Sequence, residues 1–195
     1  MSARTATVRR KTKETEIAVT VAIDGSGKAE ISTGLRFLDH LFDALTRHSR
    51  MDVSLACTGD LDVDDHHTAE DCALALGQAF DEALGDKRGI RRFGHAYAPL
   101  DEALARAVLD LSGRPYAYVD LGLRREKVGD IATEMIGHAL NSFAMAAKLT
   151  LHVELIRGQN DHHRAEAAFK ALALAVRMAV SPAGHDEVPS TKGVL

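Results

Sequence analysis

One six-residue pattern occurs twice in this 195-residue chain and constrains its fold more than any other feature. Residues 65–70 read DHHTAE and residues 161–166 read DHHRAE, so the two histidine pairs begin 96 residues apart, at His66 and His162. Each copy is followed by an alanine- and leucine-rich run that is typical of a buried helix. The recurrence of one motif in one local context predicts an internally duplicated chain.

The segments around the two copies also correspond. A lone histidine in a helix-like segment precedes each pair, His40 by 26 residues and His138 by 24. Four strand-like apolar runs occupy matching places in the two halves: residues 17–23, 52–57, 103–111 and 149–156. The first run of each half leads into a glycine-containing turn, which favours a strand-turn-strand arrangement.

This repeated order predicts an α+β fold of two β-β-α-β-α halves, at about residues 9–90 and 91–180. In each half a sheet should be covered on one side by helices, which gives a two-layer structure. No proline- or serine-rich linker separates the halves, so we expect a single domain of two fused repeats. Residues 181–195 contain proline and glycine and are predicted to form a C-terminal loop.

Composition excludes several classes of protein. There are 24 Lys and Arg residues against 28 Asp and Glu, a net charge of −4, which argues against a nucleic-acid partner. The sequence has no apolar run long enough for a membrane helix and no signal-peptide pattern at its start, so we expect no membrane partner and a cytoplasmic location. The cysteines, Cys57 and Cys72, lack CxxC spacing and are predicted to be free thiols.

The histidines indicate a transition-metal site. On a helix, residues i and i+4 share a face, so His66 and Glu70 converge while His67 points about 100° away. The predicted ligands are His40, His66, His67, Glu70, His138, His162, His163 and Glu166. Divided evenly, they supply three histidines and one carboxylate per ion, a set that suits Mn, Fe, Co or Zn and argues against Ca and Mg.

Three other interpretations fit the histidines less well. Asp64 and Asp65 alone would cap a helix and leave the following histidines exposed, but capping does not require the histidines or the glutamate to recur. A dinuclear hydrolase would bridge its ions with carboxylates, and only two candidate ligand carboxylates are present. A ferritin-type storage protein would use Glu-x-x-His motifs on a four-helix bundle. The remaining histidines without repeat partners, His95, His152 and His185, are predicted to be ordinary surface or core residues.

Several motifs in fixed order resemble one enzyme family, imidazoleglycerol-phosphate dehydratase. They are FLDH (37–40), DDHHTAED (64–71), PLDE (99–102), DLSGRP (110–115), NDHH (160–163), FKA (169–171) and PSTKGVL (189–195). The similarity extends from about Arg9 to Leu195. It implies a hydro-lyase of histidine biosynthesis that eliminates water from imidazole glycerol phosphate to give imidazole acetol phosphate.

The resemblance also implies a cofactor, an assembly and a set of site residues. Each active site would hold two Mn²⁺ ions that bind the imidazole ring as imidazolate. The halves would resemble domain 2 of ribosomal protein S5, and 24 subunits would form a shell with active sites between protomers. The implied metal ligands are the same eight residues. The implied substrate contacts are Glu14, His40, His48, His66, His67, Glu70, His162, His163 and Lys170, with Arg92, Arg114, Ser190 and Lys192 at the phosphate.

Two points about the site stay open at the level of sequence. Abstraction of a weakly acidic C–H proton requires a carboxylate base, and both Glu14 and Glu166 are candidates. Members of the family often have Glu before the lone histidine of the second half, where this chain has Gly137. This difference removes a carboxylate from the surroundings of His138 and places a glycine inside a predicted helix.

Overall fold

A computed structural model of the chain describes residues 4–193. Residues 1–3, where the sequence lacks a signal-peptide pattern, and residues 194–195, at the end of the predicted C-terminal loop, lie outside the described residues. In the first half the elements are β1 (Thr5–Lys11), β2 (Thr15–Ala22), β3 (Ala29–Ser32), α1 (Arg36–Ser49), β4 (Asp52–Gly59) and α2 (His66–Leu84). In the second half they are β5 (Phe93–Leu100), β6 (Ala103–Asp110), β7 (Tyr116–Asp120), β8 (Lys127–Val128), β9 (Ile131–Ala132), α3 (Thr133–Ala146), β10 (Thr150–Arg157) and α4 (Asp161–Val180).

The two halves have the same sheet topology. The first sheet has the order β1-β2-β4-β3 and the second the order β5-β6-β10-β7. The only parallel pair of each sheet in the described residues joins the same two places, β3 with β4 and β7 with β10. The predicted α+β class with internal duplication is therefore confirmed.

Each half begins with a strand that the sequence does not predict. Strands β1 and β5 lie at the edges of their sheets, where each pairs antiparallel with the next strand in the chain. The sequence of β5 holds a glycine and a proline, residues that normally interrupt strands and are tolerated at a sheet edge. The second half also has a short hairpin, β8 and β9, with no counterpart in the first.

The helices lie between the two sheets. Alternation along β2 buries Ile17, Val19 and Val21 against the helices, as expected for a sheet covered on one face. Helix α2 packs on β1 and β2, and α4 packs on β5 and β6. The helices also pair across the halves, α1 with α4 and α2 with α3. The buried side chains of both halves consequently form one continuous core.

Within residues 4–193, none of the helices combines the length and apolar character needed to cross a membrane.

Two helical glycines give opposite predictions for stability. A Cβ added at Gly77 would lie 2.5 Å from the carbonyl oxygen of Phe143, whereas one added at Gly137 would meet only Val119, at 3.9 Å. Ala at position 137 should raise the free energy of unfolding by about 0.5–1 kcal/mol through helix propensity. Ala at position 77 should lower it by about 1–3 kcal/mol, because α2 and α3 must move apart.

Urea unfolding of the metal-free Gly137→Ala and Gly77→Ala proteins measures both effects, and each variant is the other's control for the change of composition. If the free energy of unfolding changed equally in the two variants, the helices α2 and α3 would be packed less closely at Gly77 than in the structure.

Candidate metal centre and active site

The first cluster of metal-binding side chains lies where α1 of the first half meets α4 of the second. The Nε2 atom of His40 is 3.0 Å from Oε2 of Glu166, and Nε2 of His162 is 3.2 Å from the same oxygen. The ring of Phe37 lies against His162, with 5.0 Å between centroids. We call His40, His162 and Glu166 the α1–α4 cluster.

The second cluster lies where α2 meets α3. The Nε2 atom of His138 is 2.9 Å from Oε1 of Glu70, and Nε2 of His66 is 3.9 Å from Oε2 of the same carboxylate. The rings of His66 and His138 lie 5.2 Å apart. We call His66, Glu70 and His138 the α2–α3 cluster.

Both clusters bring three donor atoms close enough together to bind a metal ion. In each, one donor atom from each of the three residues lies within 4.8 Å of the others. Each combines two imidazoles and one carboxylate, a donor set that suits Mn²⁺, Fe²⁺, Co²⁺ or Zn²⁺. The sequence predicts three histidines and one carboxylate per ion, whereas the described residues of one chain provide two histidines and one carboxylate at each place.

The carboxylate of Glu166 is the more strongly held of the two. Its Oε1 accepts a hydrogen bond of 2.6 Å from Nζ of Lys170, one helical turn further along α4. Partial burial opposes ionisation, but the hydrogen bonds from Lys170 and His40 outweigh it and lower the pKa of Glu166 to about 2. Both carboxylate oxygens of Glu166 therefore have hydrogen-bond partners within the chain, Oε1 with Lys170 and Oε2 with His40 and His162.

The second histidine of the first motif points away from its neighbour's cluster, as the helical spacing predicts. The Nδ1 atom of His67 is 3.0 Å from Oδ2 of Asp60, and its Nε2 is 3.7 Å from Oε1 of Glu14. The hydrogen bond with Asp60 raises the pKa of His67, and the charge of Glu14 adds to this effect. A carboxylate on one ring nitrogen fixes the tautomer of an imidazole and leaves the other nitrogen free for a metal.

His163 repeats this arrangement in the second half. Its Nδ1 is 2.7 Å from Oε2 of Glu102, and its Nε2 is 3.8 Å from Oδ2 of Asp101. The bond with Glu102 raises the pKa of His163. The pKa of Glu102 itself falls to about 2, chiefly because the backbone N–H of Asn160 donates to it and secondly because of His163.

Three of these partner carboxylates, Asp60, Asp101 and Glu102, are absent from the site predicted by sequence. Asp101 and Glu102 lie within the PLDE motif that resembles the family. The motif marks them as family residues but does not show that they are partners of His163. Asp60 lies outside all the quoted motifs, and only the folded chain places it beside His67.

The candidate phosphate residues gather around Asp110, at the end of β6. Arg92 donates to both oxygens of Asp110, from Nε at 2.6 Å and from Nη2 at 2.9 Å, and its Nη1 donates to the carbonyl of Pro189. Arg114 is largely exposed, with Nη2 4.0 Å from Asp110. Ser190 follows directly after the carbonyl that Arg92 holds. Arg92 therefore fastens the C-terminal loop to the sheet.

These residues lie far from the α1–α4 cluster of the same chain. The backbone of Arg92 bonds to Ala179, which is about 20 Å along α4 from Glu166 at 1.5 Å per residue. His48 lies in the last turn of α1, about 12 Å along that helix from His40. Lys192 is exposed beside Ser190. A small phosphorylated substrate cannot span the 20 Å between Arg92 and the α1–α4 cluster.

The fold and the site together define a duplicated α+β protein with two histidine–glutamate clusters at the contacts between its halves. The family model for imidazoleglycerol-phosphate dehydratase matches residues 33–176. This chain belongs to the imidazoleglycerol-phosphate dehydratase family.

Individual relatives support this assignment over the full length of the chain. The imidazoleglycerol-phosphate dehydratase of Phaffia rhodozyma is 58% identical over 197 residues, which cover 98% of this chain and 96% of the relative. That of Saccharomyces cerevisiae is 52% identical over 219 residues and covers all of both chains. The crystal structure of the Staphylococcus aureus enzyme superposes with a TM-score of 0.82 at 36% identity, covering 91% of this chain and 99% of that one.

Proposed function

We propose that this protein eliminates water from imidazole glycerol phosphate to give imidazole acetol phosphate, a reaction of histidine biosynthesis, in the cytoplasm. The observation that carries the proposal is the pair of pseudo-equivalent histidine–glutamate clusters in a chain of this family. The C–H bond broken in this reaction is weakly acidic, so the imidazole ring must accept electron density. A site rich in neutral imidazole donors for two cations is suited to that task.

The ligands fit two divalent ions, which we assign as Mn²⁺. The α1–α4 and α2–α3 clusters provide His40, His162, Glu166 and His66, Glu70, His138, and each leaves coordination positions open. His67 and His163, each oriented by a carboxylate at Nδ1, would supply Nε2 to ions bound by other copies of the chain. When bound, the two ions would hold the substrate ring as imidazolate and stabilise its charge while water is lost from the neighbouring carbons.

Glu14 is the better placed candidate for the base. Its carboxylate is half exposed and faces Nε2 of His67 across 3.7 Å, so one side is open to a substrate. The oxygens of Glu166 are occupied by His40, His162 and Lys170. Glu14 would take the proton from carbon, and this proton would leave with the departing hydroxide as water. The enol that remains would tautomerise to the ketone of the product. Lys170, a cation beside Glu166, would contact the substrate from α4.

The geometry favours active sites shared between copies. Because Arg92 meets α4 about 20 Å along the helix from Glu166, the phosphate of a substrate at the α1–α4 cluster would be held by Arg92 and Arg114 of a neighbouring copy, with Ser190 and Lys192. The second sheet also leaves large apolar side chains exposed on its outer face: Phe93, Tyr97, Val108, Tyr116 and Tyr118. Such a face is typical of an interaction surface, which supports the proposed 24-subunit shell.

We also infer that the chain is one dehydratase domain. Its two fused repeats, at about residues 9–90 and 91–180, share a single continuous core, and the segment from residue 181 packs back as a loop.

Elemental analysis of active protein alongside an assay for imidazole acetol phosphate tests the proposal. We expect two transition-metal ions per chain and formation of the product. One ion per chain in fully active protein would contradict the two-cluster assignment, and the absence of product would contradict the reaction.

Metal content should depend on pH in a defined direction. Protons compete with metal for imidazole, and the free histidine pKa is about 6.5. The carboxylates beside His67 and His163 raise their pKa, so these two residues keep their protons to higher pH than free histidine. We therefore expect full metal content at about pH 8 and loss on lowering the pH through about 6.5. Dialysis at stepped pH followed by metal analysis measures this, and full retention at pH 5 would argue against histidine ligation.

Arg114 provides the cleaner test of the phosphate site, because Arg92 also fastens the C-terminal loop. Arg114→Lys keeps the charge but loses the planar fork, so KM should rise about 10-fold, the equivalent of one charge-assisted hydrogen bond. Metal content and kcat should stay near those of the parent. An unchanged KM would place the phosphate elsewhere, and Arg91→Lys, an exposed arginine outside the assigned site, is the control.

A further inference from the structure

The segment between β7 and α3 differs between the two halves. In the first half only residues 33–35 separate the corresponding strand β3 from α1, whereas residues 121–132 separate β7 from α3. The extra chain in the second half includes the β8–β9 hairpin, which turns at Gly129 and Asp130. Neither residue belongs to a motif of the proposed active site.

Asp130 holds the start of α1, a helix of the opposite half. Its Oδ2 accepts the N–H of Arg36 at 2.7 Å, and its Oδ1 accepts the N–H of Phe37 at 3.0 Å. Leu35, which precedes α1, provides no side-chain cap of its own. The first backbone N–H groups of α1 are therefore bound by a carboxylate more than 90 residues away in the chain. His40 lies one helical turn after these N–H groups.

The other end of the hairpin holds α2. The N–H of Ala132 donates to Oδ2 of Asp65, the residue just before the helix that carries His66 and Glu70. The Asp65 side chain caps no backbone group of its own helix. Ala132 also directly precedes α3, the helix of His138. One short hairpin thus contacts the N-terminal ends of three helices that carry metal-binding residues.

The residues before the hairpin contact the fourth helix. The N–H groups of Arg124 and Arg125 donate to Oδ2 of Asp161, at 2.9 and 2.7 Å, at the start of α4 and next to His162. Thr133 closes the segment by donating from Oγ1 to the carbonyl of Arg125. We call residues 124–133 the brace. The brace forms hydrogen bonds to the N-terminal ends of α1, α2 and α4, and its last residue, Thr133, is the first residue of α3.

We propose that the brace sets the two metal-binding clusters relative to each other, and that Asp130 is the positioning residue for His40. Each cluster is formed by helices from different halves, so its geometry depends on how the halves are held together. Helix α4 is capped from its own flank by Asn160, and Oδ1 of Asp64 accepts the N–H of His66 at the start of α2. The residues that precede α1 and α3 provide no side-chain cap. Contacts to helix N-termini determine where the first turns lie, and His40, His66, His138 and His162 all lie within the first two turns of their helices.

Hydrogen exchange on the metal-free protein tests the brace without reference to catalysis. Asp130→Ala removes the bonds to α1, so exchange should rise in residues 36–40. If the segment acts as one brace, exchange should rise also in residues 65–70, which Asp130 does not touch. Asp130→Asn keeps an acceptor oxygen and should restore part of the protection. A rise confined to α1 would make Asp130 a simple helix cap and overturn the proposal.

Binding of Mn²⁺ provides the second measurement, and it rests on the proposed function. In a Glu70→Gln background, which disables the α2–α3 cluster, Asp130→Ala should weaken Mn²⁺ binding about 10-fold, the lower end of the range for residues that orient metal ligands. The control is Asp52→Ala, which removes a carboxylate that accepts N–H groups of Ser26, Gly27 and Lys28 far from both clusters. Its Mn²⁺ affinity should match that of the parent.

The outcomes separate the two proposals. Equal Mn²⁺ affinity of the Asp130→Ala and Asp52→Ala proteins would overturn the positioning role of Asp130. A parent protein that binds Mn²⁺ but forms no product would overturn the proposed function and leave the brace standing. If the parent bound no Mn²⁺, the proposed function would fail. The change of hydrogen exchange in residues 65–70 of Asp130→Ala would then be the sole test of whether residues 124–133 act as one brace.

Discussion

Glu166→Gln should cost the protein one of the two metal ions proposed above and nearly all of the proposed dehydratase activity. Glu166 is the only carboxylate of the α1–α4 cluster, and a neutral amide is a weaker donor to a divalent cation. The amide also lacks the charge that draws Lys170 and His40 together. We expect metal content to fall from two ions to one per chain and kcat to fall at least ~10²-fold, as for loss of a catalytic ion or group.

The matched control is Glu82→Gln, which changes the same side chain on α2 about 18 Å along the helix from Glu70. It should keep both ions and full activity. Metal analysis and steady-state rates at one saturating Mn²⁺ concentration measure both variants. A Glu166→Gln protein that keeps two ions and its activity would remove Glu166 from the metal site.

The sequence predicts the halves better than it predicts their contact. Duplication, the order of elements and the orientation of His67 away from His66 all follow from local periodicity, which acts within a few residues. The pairing of His40 with Glu166 depends on which helices meet across the halves, and no local pattern encodes that choice. The two proposed ligands, His40 and Glu166, are therefore 126 residues apart in the chain.

The strands that the sequence missed have a related explanation. Strand β1 holds charged residues on its exposed face and β5 holds Gly94 and Pro99, so neither matches the apolar runs that predict a strand. Both are stabilised by pairing with one neighbour and by packing under a helix. At Gly94 the packing is so close that an added Cβ would lie against the backbone of Ala175. Tertiary contacts thus override local propensity at these edges.

The carboxylates around the site show the same limit. Asp130 and Asp60 carry no motif, and their roles arise only when distant segments meet. Gly137 illustrates the opposite case, since the sequence indicates a difference from the family but not its consequence. The open space beside it shows that the helix does not require glycine there.

Glu14→Gln should abolish turnover while leaving the metal ions in place. Glu14 lies in the loop between β1 and β2, which Thr12 fixes by accepting the N–H groups of Glu14 and Thr15. The variant keeps the shape of the side chain and loses only the basic oxygen, so kcat should fall at least ~10²-fold, the contribution of a positioned proton-transfer group.

Both ions should stay in place, because Glu14 belongs to neither cluster, and substrate should still bind, because the proposed imidazole and phosphate contacts are unchanged. Glu16→Gln, two residues further on in β2 and paired with Lys11, is the control and should behave as the parent. Metal content, substrate affinity and kcat, measured on both variants at identical metal loading, separate a base from a ligand. Loss of an ion in Glu14→Gln would make Glu14 a metal ligand. Near-normal turnover would exclude it from the mechanism and leave the proton transfer to Glu166 or to a hydroxide held at the site.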